Sequence, residues 1–334
     1  MGHQQTSDRK KDHIDLAFKS SIAKQDSRFY YEPLFDGHPS EDLSEVSFIG
    51  KKMRAPIWIS SMTGGTKEAA TINKNLAKAC GQFGLGMGLG SCRIILEDDE
   101  FLADFQLRKF VKDAPLYANL GIAQLEEIFD ANKNALVKEL INKTETDGLI
   151  IHVNPLQEWL QPEGDFFKKS PITTIKKALD LGVNIIVKEV GQGFGPDSLR
   201  ELMKLPLSAI DFGAHGGTNF SMLEMHRTKE IRQEAYEKVS HWGHSAEEMV
   251  GFHNCLLEEL EGQHFNADII ISGGVRDFID GYYLTEKSHA NSIYGQASSK
   301  SIFDELGCMV HVLLQHFIQQ RTMGSTRGCP VSKF

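Results

Sequence analysis

The densest run of chemistry-bearing side chains is IIHVNPLQEW, residues 150–159. A buried-type strand alternates its side chains, so His152 and Asn154 share one face while Ile151 and Val153 take the other. Pro155 ends the strand, and Gln157 and Glu158 then stand at its mouth. A lone histidine on a strand is most simply a hydrogen-bonded structural residue. An imidazole, two amides and a carboxylate within seven positions make a polar site instead. One carboxylate is too few for an all-protein metal cage, but Glu158 suffices for Mg²⁺ that takes its other ligands from a bound diphosphate and water.

Other unusual residues extend the pattern. Lys188 interrupts the apolar run NIIV. A lysine pointing inward needs an anion, and the N1–C2=O edge of a reduced flavin is one. Pairing with Glu189 is disfavoured because adjacent strand residues face opposite ways. Gly273-Gly274, with Ala297, Ser298 and Ser299 further on, can cradle a phosphate through backbone N–H groups; tight turns would demand the same glycines. Arg9, Lys10, Lys11 and His13 form a basic cluster that, taken alone, reads as a solvated arm. Such an arm can also close as a lid, since arginine binds phosphate oxygens bidentately.

These residues need a scaffold that brings distant segments together. Short apolar runs at 55–62, 85–91, 115–121, 147–154, 184–191, 208–214, 267–274 and 291–297 read as buried strands. Amphipathic stretches lie between them, among them 69–83, 125–140, 172–182 and 245–262, and an apolar helix is expected over 304–321. Eight strand-then-helix units predict an α/β fold, a closed (β/α)₈ TIM barrel. An open doubly wound sheet is the alternative, but no GxGxxG follows the first strand. Residues 1–50 read as an N-terminal arm or lid, residues 51–334 as a single catalytic barrel domain, and 216–245 as an insertion after the sixth strand. In such a barrel, catalytic groups sit where the strands end. Ser61, Met62, Thr63, Ser91, Arg93, Asn119 and Thr218 fall there, as do all the residues above except those of the basic N-terminal cluster.

The net charge of -9 gives no positive field to attract nucleic acid or an anionic membrane. Five cysteines without a CxxC pair suggest neither a zinc site nor a disulfide framework. No long apolar run reads as a membrane span, and the first residues are polar, so the chain is expected to be cytoplasmic.

The motifs RKKDHI, MTGG, Gly90-Ser91-Cys92-Arg93, ANLG, HVNPLQE, QPEGD, KEVGQG, GGTNF after Asp211, and SGG run in order across residues 9–298. Together they resemble the type 2 isopentenyl diphosphate isomerases, with Cys92 standing where that family usually has glutamine. The resemblance implies an FMN-linked barrel that interconverts isopentenyl and dimethylallyl diphosphate with reduced FMN, Mg²⁺ and NADPH as reductant, in a homo-oligomer (tetramer or octamer). It places FMN against Ser61, Met62, Thr63, Ser91, Asn119, Lys188, Thr218, Gly273, Gly274, Ala297 and Ser298. Substrate would meet Arg9, Lys10, His13, Ser91 and Arg93, with His152, Asn154 and Gln157 as catalytic residues and Glu158 as metal ligand. No Asp or Glu pair reads as an acid–base couple, which supports the reduced flavin that the resemblance implies as the proton-transfer group. The histidines of the insertion, His226, His241 and His244, are expected to serve an oligomer contact or a solvated helix. The rival is an FMN oxidoreductase of the 2-hydroxy acid oxidase type. It would need His-Gly-x-Arg after the sixth strand, where this chain has His215-Gly216-Gly217-Thr218. A binding barrel without catalysis is the third reading, and the intact HVNPLQE run opposes it.

Overall fold

A computed structural model describes residues 2–17, 19–20, 24–29, 34, 45–61, 65–96, 98–161, 164–227, 233–260, 265 and 267–297. Helix α1 (Gly2–Ala17) belongs to a compact unit of its own. Arg9, Lys10 and His13 are exposed on it.

The second unit holds a hairpin and a barrel. Strands β1 (Val46–Phe48) and β2 (Lys51–Met53) pair antiparallel across Ile49-Gly50. Eight parallel strands then close on themselves: β3 (Ile57–Ile59), β4 (Gly86–Gly88), β5 (Leu116–Gly121), β6 (Gly148–Val153), β7 (Ile185–Glu189), β8 (Ala209–Asp211), β9 (Asp268–Ser272) and β10 (Ser292–Gln296). Strand β10 pairs with both β9 and β3, so no strand edge is left open. Every strand expected from sequence forms, within narrower bounds.

The connecting helices are α2 (Lys67–Phe83), α3 (Arg108–Val111), α4 (Ile122–Asp130), α5 (Ala135–Thr144), α6 (Pro155–Leu160), α7 (Pro171–Leu179), α8 (Pro196–Met203), α9 (Phe220–Arg227), α10 (Gln233–Ser240), α11 (Ala246–Glu259) and α12 (Phe278–Lys287). Local signals set their ends. Thr66 caps α2 by accepting from the Ala69 N–H, and Gly84 closes it in the left-handed region. Ser245 and Glu248 form a reciprocal capping box on α11. Three starts carry proline in the first turn, where its missing N–H is not needed.

Two expectations are corrected. The stretch 125–140 is not one helix: Asn132 takes φ 55° between α4 and α5, and the hydrophobic period continues across the break. Cys80 and Cys92 are buried free thiols, but Cys255 is disulfide-bonded. Spacing along the chain does not reveal which thiols come within bonding distance. The helix expected over 304–321 lies outside the described residues.

The barrel interior explains the site. Trp58, Tyr117, Ile150, Ile186, Ala209, Ile270 and Ile293 form one apolar cluster, and Phe48 and Met53 of the hairpin join it. Their strand neighbours Ile57, Ile59, Leu149, Ile151, Ile185, Val187, Ile269 and Ile271 belong to a separate cluster with the helices. The first set therefore points inward. The hairpin plugs the end where the strands begin: Ile49 N–H donates to Asp268 Oδ2 (2.6 Å), and Lys51 pairs with Asp147 (2.6 Å). Trp58 sits at the centre of this plug, its ring edge-on to Tyr117 and tilted against Phe48. Replacing Trp58 by Ala should cost about 3–5 kcal/mol of stability, as expected for a fully enclosed aromatic; urea unfolding checks it, and a loss under about 1 kcal/mol would mean the plug does not bear on the core.

Candidate active site

Two residues along six of the eight inward faces, the barrel turns from apolar to polar. Tyr117 is followed by Asn119, Ile150 by His152, Ile186 by Lys188, Ala209 by Asp211, Ile270 by Ser272 and Trp58 by Ser60. The register sets three of these side by side, since His152 aligns with Lys188 and Lys188 with Asp211.

Each member is held by its neighbours. Asn119 Nδ2 donates to Leu89 O (3.0 Å), which leaves its Oδ1 to accept from His152 Nδ1 (2.8 Å). Desolvation, and then the Lys188 charge, push the His152 imidazole down to about 3. It is therefore a neutral ring with its proton on Nδ1 and an acceptor at Nε2. The Lys188 ammonium is buried and donates to the Glu189 carbonyl oxygen (2.5 Å). Asp211 is fully enclosed. Burial raises its pKa, while Lys188 and the Ser272 hydroxyl that donates to Oδ1 oppose the rise.

Two adjoining cavities open above this layer. One of about 320 Å³ is lined by Ser61, Lys188, Thr218, Gly273, Gly274 and Ala297, among others. The other, about 140 Å³, is lined by Ser61, Ser91, Asn119, His152, Gln157 and Lys188. Ser61, Lys188, Val190 and Phe220 line both, so the cavities share a wall. Most of the site residues expected from sequence thus converge. Met62, Thr63 and Ser298 lie outside the described residues. Gly273 and Gly274 line the larger cavity and both take positive φ, as a tight turn demands, and a Cβ on Gly273 would lie 2.0 Å from Ala214 O.

At the mouth, Asn154 Nδ2 donates to Gln157 Oε1 (3.1 Å) and Glu158 Oε1 (2.9 Å). The α6 turn that starts at Pro155 brings these side chains onto one side. Arg93 is exposed and pairs with Asp165 (2.7 Å) rather than facing solvent freely.

Several residues at the site were not singled out from sequence. Glu224 on α9 is buried, accepts from Gln157 Nε2 (3.4 Å) and pairs with Arg227 (2.6 Å). A second carboxylate therefore approaches the Glu158 network from the insertion, and Phe220 of the same helix lines both cavities. The insertion's apolar period, with Glu224 on the buried side of α9, was the available signal. Of the insertion's histidines, His226 and His241 are exposed, and the half-buried His244 ring packs edge-on to Phe252. Glu189 was set aside as outward-facing. It does face away from Lys188, and its Oε2 accepts the N–H groups of Val190, Gly191, Gln192 and Gly193 at 2.6–2.8 Å. One buried oxygen thereby fixes the loop carrying Val190 and Gly191 into the cavity wall. Arg276, also on that wall, donates to Asp280 (3.1 Å).

The fold has known counterparts. A mandelate oxidase solved with an FMN adduct superposes with a TM-score of 0.53 at 11% identity, over 86% of this chain and 82% of that one. A lactate oxidase of Pediococcus acidilactici gives 0.54 at 14%, over 86% and 79%. At such identities the likeness is one of fold, an eight-stranded parallel barrel shared with flavin-dependent oxidases. The chain matches no family model. It is, however, 32% identical over 329 residues to the isopentenyl-diphosphate delta-isomerase of Cronobacter sakazakii, covering 95% of this chain and 90% of the relative. The enzymes of that name from Rickettsia prowazekii (34%, covering 82% and 80%) and a Nostoc species (33%, covering 83% and 79%) are similar to comparable extent. The chain belongs to the type 2 isopentenyl-diphosphate delta-isomerase family.

The depressed His152 pKa has a testable sign. Between about 3 and the ordinary value near 6.5, the unfolded chain binds a proton that the folded site refuses. The His152 contribution to stability is thus complete above about pH 6.5 and lost as pH falls toward 3. A His152→Gln variant should show a flatter decline in its urea midpoint over that interval. In the parent protein the His152 ring resonances should not titrate between about pH 5 and 8; a midpoint near 6.5 would mean the ring is solvated.

Proposed function

We propose that the chain interconverts isopentenyl diphosphate and dimethylallyl diphosphate, using FMN reduced by NADPH and Mg²⁺ on the diphosphate. The single observation that carries this reading is the convergence of Ser91, Asn119, His152, Gln157 and Lys188, from five different segments, on one cavity at the strand ends.

The residues fit a flavin. Ser60 Oγ, Ser61 Oγ and Gln296 Nε2 are buried at the wall of the larger cavity with no hydrogen-bond partner among the described residues. Buried polar atoms without partners are unfavourable unless a ligand completes them. Gly216, Gly217, Gly273 and Gly274 on the same wall can admit a phosphate close to the backbone. The residues also fit a metal shared with substrate. Among the described residues no group of three His, Cys, Asp or Glu could hold an ion alone, yet Asn154 Oδ1 is buried and unpartnered beside Glu158. Such a site completes its shell from phosphate oxygens and water.

The reaction adds a proton at one end of a three-carbon unit and removes one at the other, without net redox change. Bound reduced FMN would supply the proton-transferring group and an electron-rich face toward developing positive charge. The protein's part is positioning. Lys188, buried and held by the Glu189 carbonyl, would offer positive charge to an anionic ring edge. Neutral His152, its Nδ1 proton committed to Asn119, would accept a hydrogen bond at Nε2 without adding a charge. Gln157, fixed between Asn154 and Glu224, would orient the reacting end, since an amide is itself a poor acid or base. Arg93 and Ser91 would meet the diphosphate, with Glu158 on its metal. The family resemblance adds Arg9, Lys10 and His13 as further cations, residues 1–50 acting as a lid on a barrel domain of 51–334. The oxidoreductase reading lacks support at Thr218, where a carboxylate clamp would need arginine.

An anaerobic assay with FMN, Mg²⁺, NADPH and isopentenyl diphosphate should yield dimethylallyl diphosphate only once flavin is reduced, without proportional NADPH consumption. Flavin binding with NADPH turnover and no isomer would instead favour an oxidoreductase. Lys188→Ala should release flavin or shift its absorption, and an unchanged bound spectrum would remove that contact. Glu158→Gln should raise the Mg²⁺ needed for half-maximal rate about 10- to 100-fold, whereas wild-type metal dependence would take Glu158 out of the shell.

A further inference from the structure

The loop between α6 and α7 carries QPEGD, and its last residue touches Glu158 on one side and Arg93, which lines a neighbouring pocket with Gln124, on the other. A Cβ on Gly164 would lie 1.9 Å from Glu158 O. Only glycine lets the loop backbone rest so closely against α6. That approach brings the Asp165 N–H to 2.8 Å from Glu158 Oε2. The carboxylate of the same residue turns the other way: its Oδ2 accepts from Arg93 Nη1 (2.7 Å) and from buried Gln124 Nε2 (3.1 Å).

We propose that Asp165 is a positioning residue that ties Arg93 and Glu158 into one geometry, so that diphosphate and metal are bound as a unit. This inference rests on the isomerase reading above. An arginine side chain that is 55% exposed would otherwise range over many rotamers, and Asp165 is its one ion-pair partner among the described residues. The contact uses Nη1 and leaves Nε and Nη2 to meet phosphate oxygens. Gln124 fixes the carboxylate in turn, so the guanidinium is aimed by a chain of two hydrogen bonds from a buried amide. On the other side, Glu158 receives Asn154 at Oε1 and the Asp165 N–H at Oε2. Both oxygens are oriented, and each keeps a lone pair for a cation. Because the two functions run through one residue, metal binding should strengthen diphosphate binding more than charge neutralisation alone would.

The test uses FMN-loaded full-length protein as wild type, Asp165→Asn, Arg93→Ala and the double variant. Asp165→Asn keeps the backbone N–H and the side-chain shape while removing the charge, and Asp165→Ala removes the acceptors as well. The expected result is a rise of about fivefold in KM for isopentenyl diphosphate and in Kd for inorganic pyrophosphate, the range open to a partly exposed charged pair. kcat should change by less than about twofold, and Mg²⁺ should enhance pyrophosphate affinity less than in wild type. In the Arg93→Ala background, Asp165→Asn should have no further effect on pyrophosphate. Wild-type KM and Kd in both Asp165 variants would overturn the proposal. So would an Asp165→Asn effect that persists without Arg93, or a joint fall of kcat and thermal midpoint at constant KM. If wild type proves inactive on isopentenyl diphosphate, the isomerase reading fails on its own, and the pyrophosphate titrations still decide the role of Asp165.

Discussion

The structure depends on the step from apolar to polar along the inward faces of the strands. Below it, Trp58, Tyr117, Ile150, Ile186, Ile270 and Ile293 fill the barrel and meet the hairpin plug. Above it, Asn119, His152, Lys188, Asp211 and Ser272 occupy the next inward positions. Apolar packing beneath gives the polar layer a rigid floor. It also keeps water from reaching these groups from below, which strengthens each charge interaction and disfavours a charged imidazole at His152. The polar layer is tolerated because its members satisfy one another in part, with Ser60 Oγ and Asp211 Oδ2 left unpartnered among the described residues.

The site is assembled from three sources of different stiffness. Strand ends supply the floor, and their positions follow from barrel closure. The loop after β7 is not a strand, yet Glu189 gives it comparable definition by gathering four N–H groups on one carboxylate oxygen. Burial raises the pKa of this carboxyl, whereas the converging N–H dipoles favour its ionised form. The third source is the pair of excursions carrying Asp165 and Glu224. These reach Glu158, Arg93 and Gln157 through side-chain and loop-backbone contacts rather than through the strand ladder.

Much of this was legible in the sequence. The eight strands were visible as short apolar runs, and the two-residue period alone put His152 with Asn154 and separated Lys188 from Glu189. The break at Asn132 was hidden because hydrophobic spacing continues through it, with only the backbone reversing. Asp165 lay within a quoted motif but had no assigned work, since its partners Arg93 and Gln124 are 72 and 41 positions away. Glu224 was obscured for the same reason: its proximity to Gln157 arises from a helix folded back over the barrel, 67 residues on. Local pattern reports which way a side chain points. It does not report what another loop brings to meet it.

The alternation along β7 also bears on how this gene can change. Lys188 and Glu189 carry opposite charges to opposite sides of one strand, the ammonium into the cavity and the carboxylate to the loop clamp. Substitutions can be absorbed one side chain at a time. Loss of a single codon upstream within β7 would instead exchange the two faces, presenting the Glu189 carboxylate to the cavity and taking it away from the loop amides. A change of length is therefore easier to accommodate in the connecting segments than within the strands that bear the polar layer.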